Sequence, residues 1–429
     1  LELKRGTQKF VVTLALLTLV VTACSQQGGS TTTGGTTGAT TTGGKVTVIG
    51  VWGGSEEESF KAMVKPFETQ TGIKVEYTGT RDINTVLTTG IASGLLPDAA
   101  GYFIGQTKQF ADAGALKPLD DVIDMATYKA DTSAALASLT VVNGKTYGIF
   151  TKAAVKGLIW YNPKVYKGTA PATFDALMQT PVPGTAKRWC VGLESGAASG
   201  WPATDWIEDI LLRQSGPDVY DKWVAGTQKW TSPQIKTAFQ TFGKVVSADS
   251  VFGGPQTVLT TNFGDGANPM FTATPGCLFH HQASFITDFF KKQGGAKDGD
   301  FDFFPMPDID PQFSGATGAA DVFGMFKDTP QTRALMKYLV TPEAQAIWVG
   351  RGGALSPNKK VTNYPDEISK RSADILAKAK VFRFDGSDLM PTAMNDAFWK
   401  SMLDFTKDQT KLDSILTSLD TVQASAYTK

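Results

Sequence analysis

The sequence predicts an α/β fold with a parallel sheet, organised as one compact body of two lobes. Three observations carry this. The globular part opens strand–helix–strand, the same texture recurs further along, and long helical patterns fill the C-terminal third. The length agrees, since 429 residues at roughly 150 per domain make two or three lobes with sizeable cores. A hydrophobic share of 41% is that of an ordinary globular chain rather than a disordered one.

The first 44 residues stand apart from this body. Lys4, Arg5 and Lys9 precede an uncharged run over 10–23 that ends Val21-Thr22-Ala23-Cys24. The run is the length of a signal-peptide core and too short to span a ~30 Å hydrocarbon layer. Small residues before Cys24 resemble a bacterial lipobox; a buried helix that happens to end in Cys is the plainer alternative. Residues 25–44 read SQQGGSTTTGGTTGATTTGG, without charge or large apolar side chains. Such a segment cannot bury enough surface to offset its ordering entropy and reads as a tether. The expected layout is therefore a leader over 1–23, then a lipidated Cys24 and tether over 24–44, placing the protein outside the cytoplasm on a lipid anchor.

The elements follow in order. Residues 45–52 (KVTVIGVW) are rich in β-branched side chains and predict a buried strand. Ser55 before Glu56, Glu57 and Glu58 predicts an N-cap with acids in the first helical turn. Phe60, Met63, Val64 and Phe67 recur at helical spacing, Pro66 sits among them as a kink, and Gly72 stops the helix. Residues 73–77 alternate as a second strand. A helix over 84–93, a loop closed by Pro97-Asp98 and a strand over 99–104 come next. Residues 144–149 predict a turn and strand, and 157–161 another strand. Helices are predicted over 331–349, 366–380, 392–406 and 410–427. No internal repeat or second linker interrupts the body.

Several function classes are excluded by composition and motif. Lys+Arg and Asp+Glu are both 41, so the basic surplus of a nucleic-acid binder is missing. The 2 His and 3 Cys leave no metal-ligand set of the usual spacing, so no metal or cofactor is expected. Gly144-Lys145-Thr146 imitates the end of a P-loop, but Leu139 stands where the first Gly is required. Outside the cytoplasm Cys190 and Cys277 form either one disulfide or two inert buried thiols, and sequence leaves that open.

Short motifs then line up in a familiar order. They begin with 48–75, holding Trp52 and FETQTGIKV. Leu96-Pro97-Asp98 through Gln106 and FADAGAL over 110–116 come next, then Tyr147-Gly148-Ile149 before Trp160-Tyr161-Asn162. Gly200-Trp201-Pro202 with DWIED over 205–209, HHQAS over 280–284, and Met390-Pro391 before Ala397-Phe398-Trp399 complete the set. Together they resemble the family 1 extracellular solute-binding proteins of ABC importers, especially those for maltose and α-glucosides, over 45–429. The resemblance implies a periplasmic-binding-protein-like fold, with two α/β lobes joined by a hinge over a ligand cleft. Lobe 1 would take 45–151 plus 308–356, and lobe 2 would take 152–307 plus 357–429. It implies a monomer that binds a mono- or disaccharide and delivers it to permease subunits, without catalysis.

Candidate ligand residues come from the residues themselves and from the resemblance. Trp52 stands at the carboxyl end of the first strand, where open α/β sheets bind ligands, or else is simply core. Arg81 offers a donor fork and Asp82 an acceptor on a loop without apolar partners. Trp201 and Trp206, with Asp205 and Glu208, form the densest aromatic–acid cluster. His281 is the expected hydroxyl partner of the adjacent histidine pair, whose side chains point to opposite faces of a strand. Asp321 follows Gly318-Ala319-Ala320, and Arg351 sits in a Gly-rich turn. Glu57, Gln106 and Trp399 are implied by the resemblance, although the spacing from Pro391 to Trp399 is one residue short. The rival reading is a lipid-anchored glycoside hydrolase using the carboxylates near Trp201, which would need two of them about 5–10 Å apart across the bond.

Overall fold

The computed structural model describes residues 43–427; the leader 1–23, Cys24 and nearly all of the tether lie outside the described residues. Two sheets organise the body. The first has six strands in the order Phe382–Phe384, Ala316–Met325, Ala99–Tyr102, Lys45–Gly50 and Lys74–Gly79, with Ile149–Val155 also paired to Ala316–Met325. Its parallel core is the predicted opening unit: Val46 lies opposite Val75, and Val48 opposite Tyr77. The second has four strands, ordered Asp302–Pro305, Leu158–Tyr161, Cys277–Gln282 and Lys187–Cys190.

The sheets are mixed, which corrects the expectation of a parallel sheet. Ala316–Met325 runs antiparallel to both Ala99–Tyr102 and Ile149–Val155, and Leu158–Tyr161 runs antiparallel to both its neighbours. These strands carry the chain between the sheets. Ile149–Val155 passes through Lys156-Gly157 straight into Leu158–Tyr161, and Asp302–Pro305 leads on to Ala316–Met325. Phe382–Phe384 lies in the stretch 357–429 that the resemblance gave to the second lobe, yet it pairs with the first sheet.

Local chemistry explains where the elements begin and end. The first helix, Ser55–Thr71, is capped by Gly54 rather than Ser55, and its C-cap Gly72 is left-handed at φ 70°. Pro66 lies inside it without ending it. The pattern over 331–349 divides into Pro330–Leu339 and Pro342–Arg351. Pro342 has no amide hydrogen to continue a helix but suits a first turn, and the Thr341 hydroxyl caps the new one by accepting from Ala344 N at 3.2 Å.

Each sheet has its own core. Val48, Phe60, Met63, Phe67, Phe323, Leu335 and Trp348 pack around the first. Ile159, Trp189, Trp206, Phe242, Phe279 and Phe398 pack around the second. Cys190 and Cys277, on neighbouring strands of the second sheet, are joined by a disulfide. Among the described residues no helix is long and apolar enough to cross a membrane.

Candidate functional site

The cleft is built where the two bodies meet, at the carboxyl end of the first strand. Trp52 arrives there from Lys45–Gly50, and Glu56 from the first turn of the following helix. Lys152, Ala154 and Lys156 come from the crossing strand and its exit, and Ala319 and Asp321 from its antiparallel partner. The second body contributes Trp201, Asp205, Phe285, Asp385 and Trp399. Small side chains on the paired strands, Ala154 opposite Ala319, leave the floor open.

Gly200 sets how closely the second-body elements converge. It precedes the helix Trp201–Ser215 with φ 107°, and a Cβ there would lie 2.3 Å from the Trp399 carbonyl oxygen. No other residue fits that approach, which brings Trp201 and Trp399 to one cleft. Trp201 packs on Phe263 and Phe285 at centroid separations of 5.1 and 6.0 Å. Trp399 meets Phe103 of the first body edge-on at 5.4 Å.

Charge enters in two clusters. In the first, the Lys152 ammonium donates to Glu56 Oε1 at 2.5 Å and lies 3.5 Å from Asp321 Oδ2. Arg81 reaches Glu56 Oε2 at 3.6 Å while its guanidinium covers the Phe263 ring at 4.9 Å. The second centres on the buried Lys156, which donates to Asp205 Oδ1 at 2.7 Å and to Asp385 Oδ2, with its ammonium 5.7 Å from the Trp201 ring centroid. One turn behind Asp205, Glu208 accepts from the amides of Gly386 and Ser387 at 3.0 and 3.1 Å.

This second cluster has more carboxyls than cations, and their proton affinities diverge accordingly. Burial pushes Asp205 up to about 8, with Asp385 and Asp209 adding to the rise and Lys156 opposing it. Burial and the nearby Asp385 charge hold Glu208 well above the ordinary carboxylate range. Burial would raise Asp385 too, but contact with Lys156 brings it below that range. Asp385 is thus the ionised partner of Lys156. Asp205, Glu208 and Asp385 place oxygens within 4.8 Å of one another, a metal-ligand spacing, but the Lys156 ammonium already bridges Asp205 and Asp385.

The structure gathers Trp52, Arg81, Trp201, Asp205, Asp321 and Trp399 around this cleft. Trp52 serves two purposes, since it is also packed in the first core, 4.8 Å from the Trp348 ring. The other candidates stand elsewhere. Glu57 turns outward to Lys61 at 2.5 Å, and its neighbour Glu56 takes the inner position. Asp82 is exposed at the start of the helix Ile83–Ser93 and lines an adjoining recess. Gln106 is buried and does not line the cleft. Arg351 donates to Ser59 Oγ at 3.1 Å.

Trp206 and His281 are core partners, with rings stacked at 4.1 Å. His281 Nε2 bonds Asp209 Oδ2 at 2.7 Å, and Arg213 and Thr317 bond the other oxygen. Gly157 passes over this carboxylate at φ 69°, where a Cβ would lie 2.6 Å from Asp209 Oδ1. That network ties the crossing strands to the helix bearing Asp205.

Sequence reasoning missed Glu56, Lys152, Lys156, Asp385 and Asp388, all of which line the cleft. One signal was present for Glu56. It lies four residues before Phe60 and seven before Met63, on the apolar face, while Glu57 faces Lys61.

Two sheeted bodies closing on an aromatic and charged cleft, joined by strand crossings, define a solute receptor of the periplasmic-binding-protein type. The chain belongs to the bacterial extracellular solute-binding protein family, whose model matches residues 62–379. It is 35% identical over 373 residues to the osmoprotective compounds-binding protein GgtB of Synechocystis sp., covering 84% of this chain and 88% of the relative. It is 35% identical over 392 residues to the alpha-glucosides-binding periplasmic protein AglE of Rhizobium meliloti, covering 86% of this chain and 84% of the relative. A solved chitin oligosaccharide binding protein superposes with a TM-score of 0.79 at 19% identity, over 90% of this chain and 99% of that one, which speaks for the fold. The protein is thus an extracytoplasmic binding protein and not an enzyme.

Proposed function

We propose that this protein captures an α-linked glucoside of the trehalose, maltose or sucrose class and delivers it to the permease of an ABC importer. The single observation behind the reading is the cleft itself. Indole faces of Trp201 and Trp399 stand beside Asp321, Asp205 and Arg81, the pairing that flat sugar faces and their hydroxyls require. The relative named for binding alpha-glucosides supports it. Binding would work by hinge closure of the body around the first sheet against the body around the second, because ligand contacts from both favour the shut state.

Isothermal titration of trehalose, maltose and sucrose tests the reading. At least one is expected to bind near micromolar, about −8 kcal/mol. Trp201→Ala should weaken it by at least about tenfold through loss of the stacking face, whereas Arg351→Ala should change it less than about twofold. Turnover of a chromogenic α-glucoside, or no sugar binding at all, would overturn it.

The protein is held at the membrane as a monomer through lipid on Cys24, with 25–44 as tether. Stable anchoring needs at least two chains, which a triacylated Cys supplies. Cys24→Ser is expected to shift the exported protein from the membrane to the soluble fraction; retention on the membrane would sink the anchor.

A further inference from the structure

Charge in the main cleft does not balance. Its lining holds five carboxyls, those of Glu56, Asp205, Asp321, Asp385 and Asp388, against the three cations of Arg81, Lys152 and Lys156. All three cations are committed. Arg81 and Lys152 pair with Glu56, Lys152 also reaches Asp321, and Lys156 holds Asp205 and Asp385. Among the described residues no cation pairs with Asp388. Burial and then the Asp385 charge hold its carboxyl well above the ordinary range, with Lys156 opposing and Asp205 and Asp321 adding to the rise. A carboxyl in that state keeps a proton for want of a counter-charge. Asp205, only 2% exposed, is also incompletely used: its Oδ1 takes the Lys156 ammonium, and its Oδ2 is buried without a partner.

Shape marks where a ligand's charge enters. At Asp388 the cleft runs into a recess of about 40 Å³, and the two share Trp52, Phe103, Asp321 and Asp388. The recess is too small for a pyranose ring but large enough for a group the size of a water molecule. Its charged lining is Asp321 and Asp388, both acids, and Trp52, Tyr102 and Phe103 supply aromatic walls. An ammonium offers three donors and no acceptor, which suits carboxyls, and its charge gains from ring faces. The resident ammoniums of the cleft already show that pairing. Lys152 lies 5.0 Å from the Phe285 ring centroid, and Lys156 lies 5.7 Å from that of Trp201.

We propose that this recess is an ammonium seat, and that the protein also captures α-glucosides carrying a primary amino group, in preference to their neutral parents. The ammonium enters between Asp321 and Asp388, flanked by Trp52 and Phe103, while the sugar rings keep their contacts in the cleft. It takes the place of the proton on Asp388, which leaves to solvent. This inference rests on the sugar-capture reading and adds a ligand class to it.

The test titrates trehalose, maltose, the monoamino derivatives of each at every hydroxyl-bearing ring position, and the N-acetyl forms of those amines. At least one amine is expected to bind the wild type about tenfold or more tightly than its parent sugar, the gain of a hydrogen bond to a charged group. Its N-acetyl form, which has lost the charge, should show no such gain. Asp388→Asn should bring the ratio of amine to parent affinity to about one, and Asp388→Glu should retain a preference for the amine. Thermal melts confirm that each variant folds. If no amine binds the wild type more tightly than its parent, the seat is overturned and sugar capture stands. A preference that survives in Asp388→Asn overturns the seat as well. Failure of the wild type to bind any parent sugar or amine overturns the capture reading along with it.

Discussion

Replacing Lys156 with Met is expected to lower the stability of the ligand-free protein by about 3–5 kcal/mol at pH 8, the usual result of removing one partner from a buried ion pair. Lys156 is the cation that Asp205 and Asp385 both contact, and all three are buried. Without it, Asp385 keeps a charge that only backbone and hydroxyl donors offset: the amide of Asp388 and the Ser387 hydroxyl, both at 3.0 Å. At pH 5 the deficit should shrink, because the freed carboxyls then take up protons. Urea denaturation of both proteins at the two pH values measures this. Coincident midpoints at pH 8 would show that the ammonium does not hold the cluster together.

The second large effect is a loss of stability as pH rises, carried by Asp205. Its carboxyl is pushed up to about 8, first by burial and then by the neighbouring Asp385 and Asp209, against the pull of Lys156. In the unfolded chain it titrates near 3.9. A group raised in the folded state stabilises fully below its unfolded pKa, and that stability drains away as pH climbs from about 4 to about 8. One pKa unit is about 1.4 kcal/mol, so half of the displacement already amounts to about 3 kcal/mol. His280 opposes it over part of the range: burial lowers its ring to about 4, so it favours the fold less as pH falls below about 6.5. Asp205→Asn isolates the carboxyl. The variant's urea midpoint should vary less between pH 5 and pH 8.5 than the wild type's, and equal slopes would exclude Asp205 as the source.

Much of the frame was legible because short-range chemistry dictates it. β-branched residues at 45–50, helical spacing from Phe60 to Phe67 and a left-handed Gly72 mark the opening unit without help from the rest of the chain. Strand direction was not legible, since antiparallel pairing of Ala316–Met325 with Ile149–Val155 depends on residues far apart in sequence. The cleft divided in the same way. Its tryptophans stood out, because large indoles at element ends signal either core or ligand. Its lysines did not. Lys152 and Lys156 look like ordinary strand-edge charges until Glu56, Asp205 and Asp385 are brought to them from other elements. Trp206 misled for a related reason: it follows Trp201 by five residues, which on a helix turns it well away from its neighbour and into the second core.

The long strand Ala316–Met325 also sets a timetable. Among the described residues it alone links Ile149–Val155 and Phe382–Phe384 to the rest of the first sheet. Until it has been made, the first half of the chain cannot complete that sheet, and closing contacts such as Thr151 to Asp321, 170 residues apart, carries a large entropic cost. A nascent chain of this design stays unfinished through most of its synthesis. That delay suits a protein that works outside the cytoplasm.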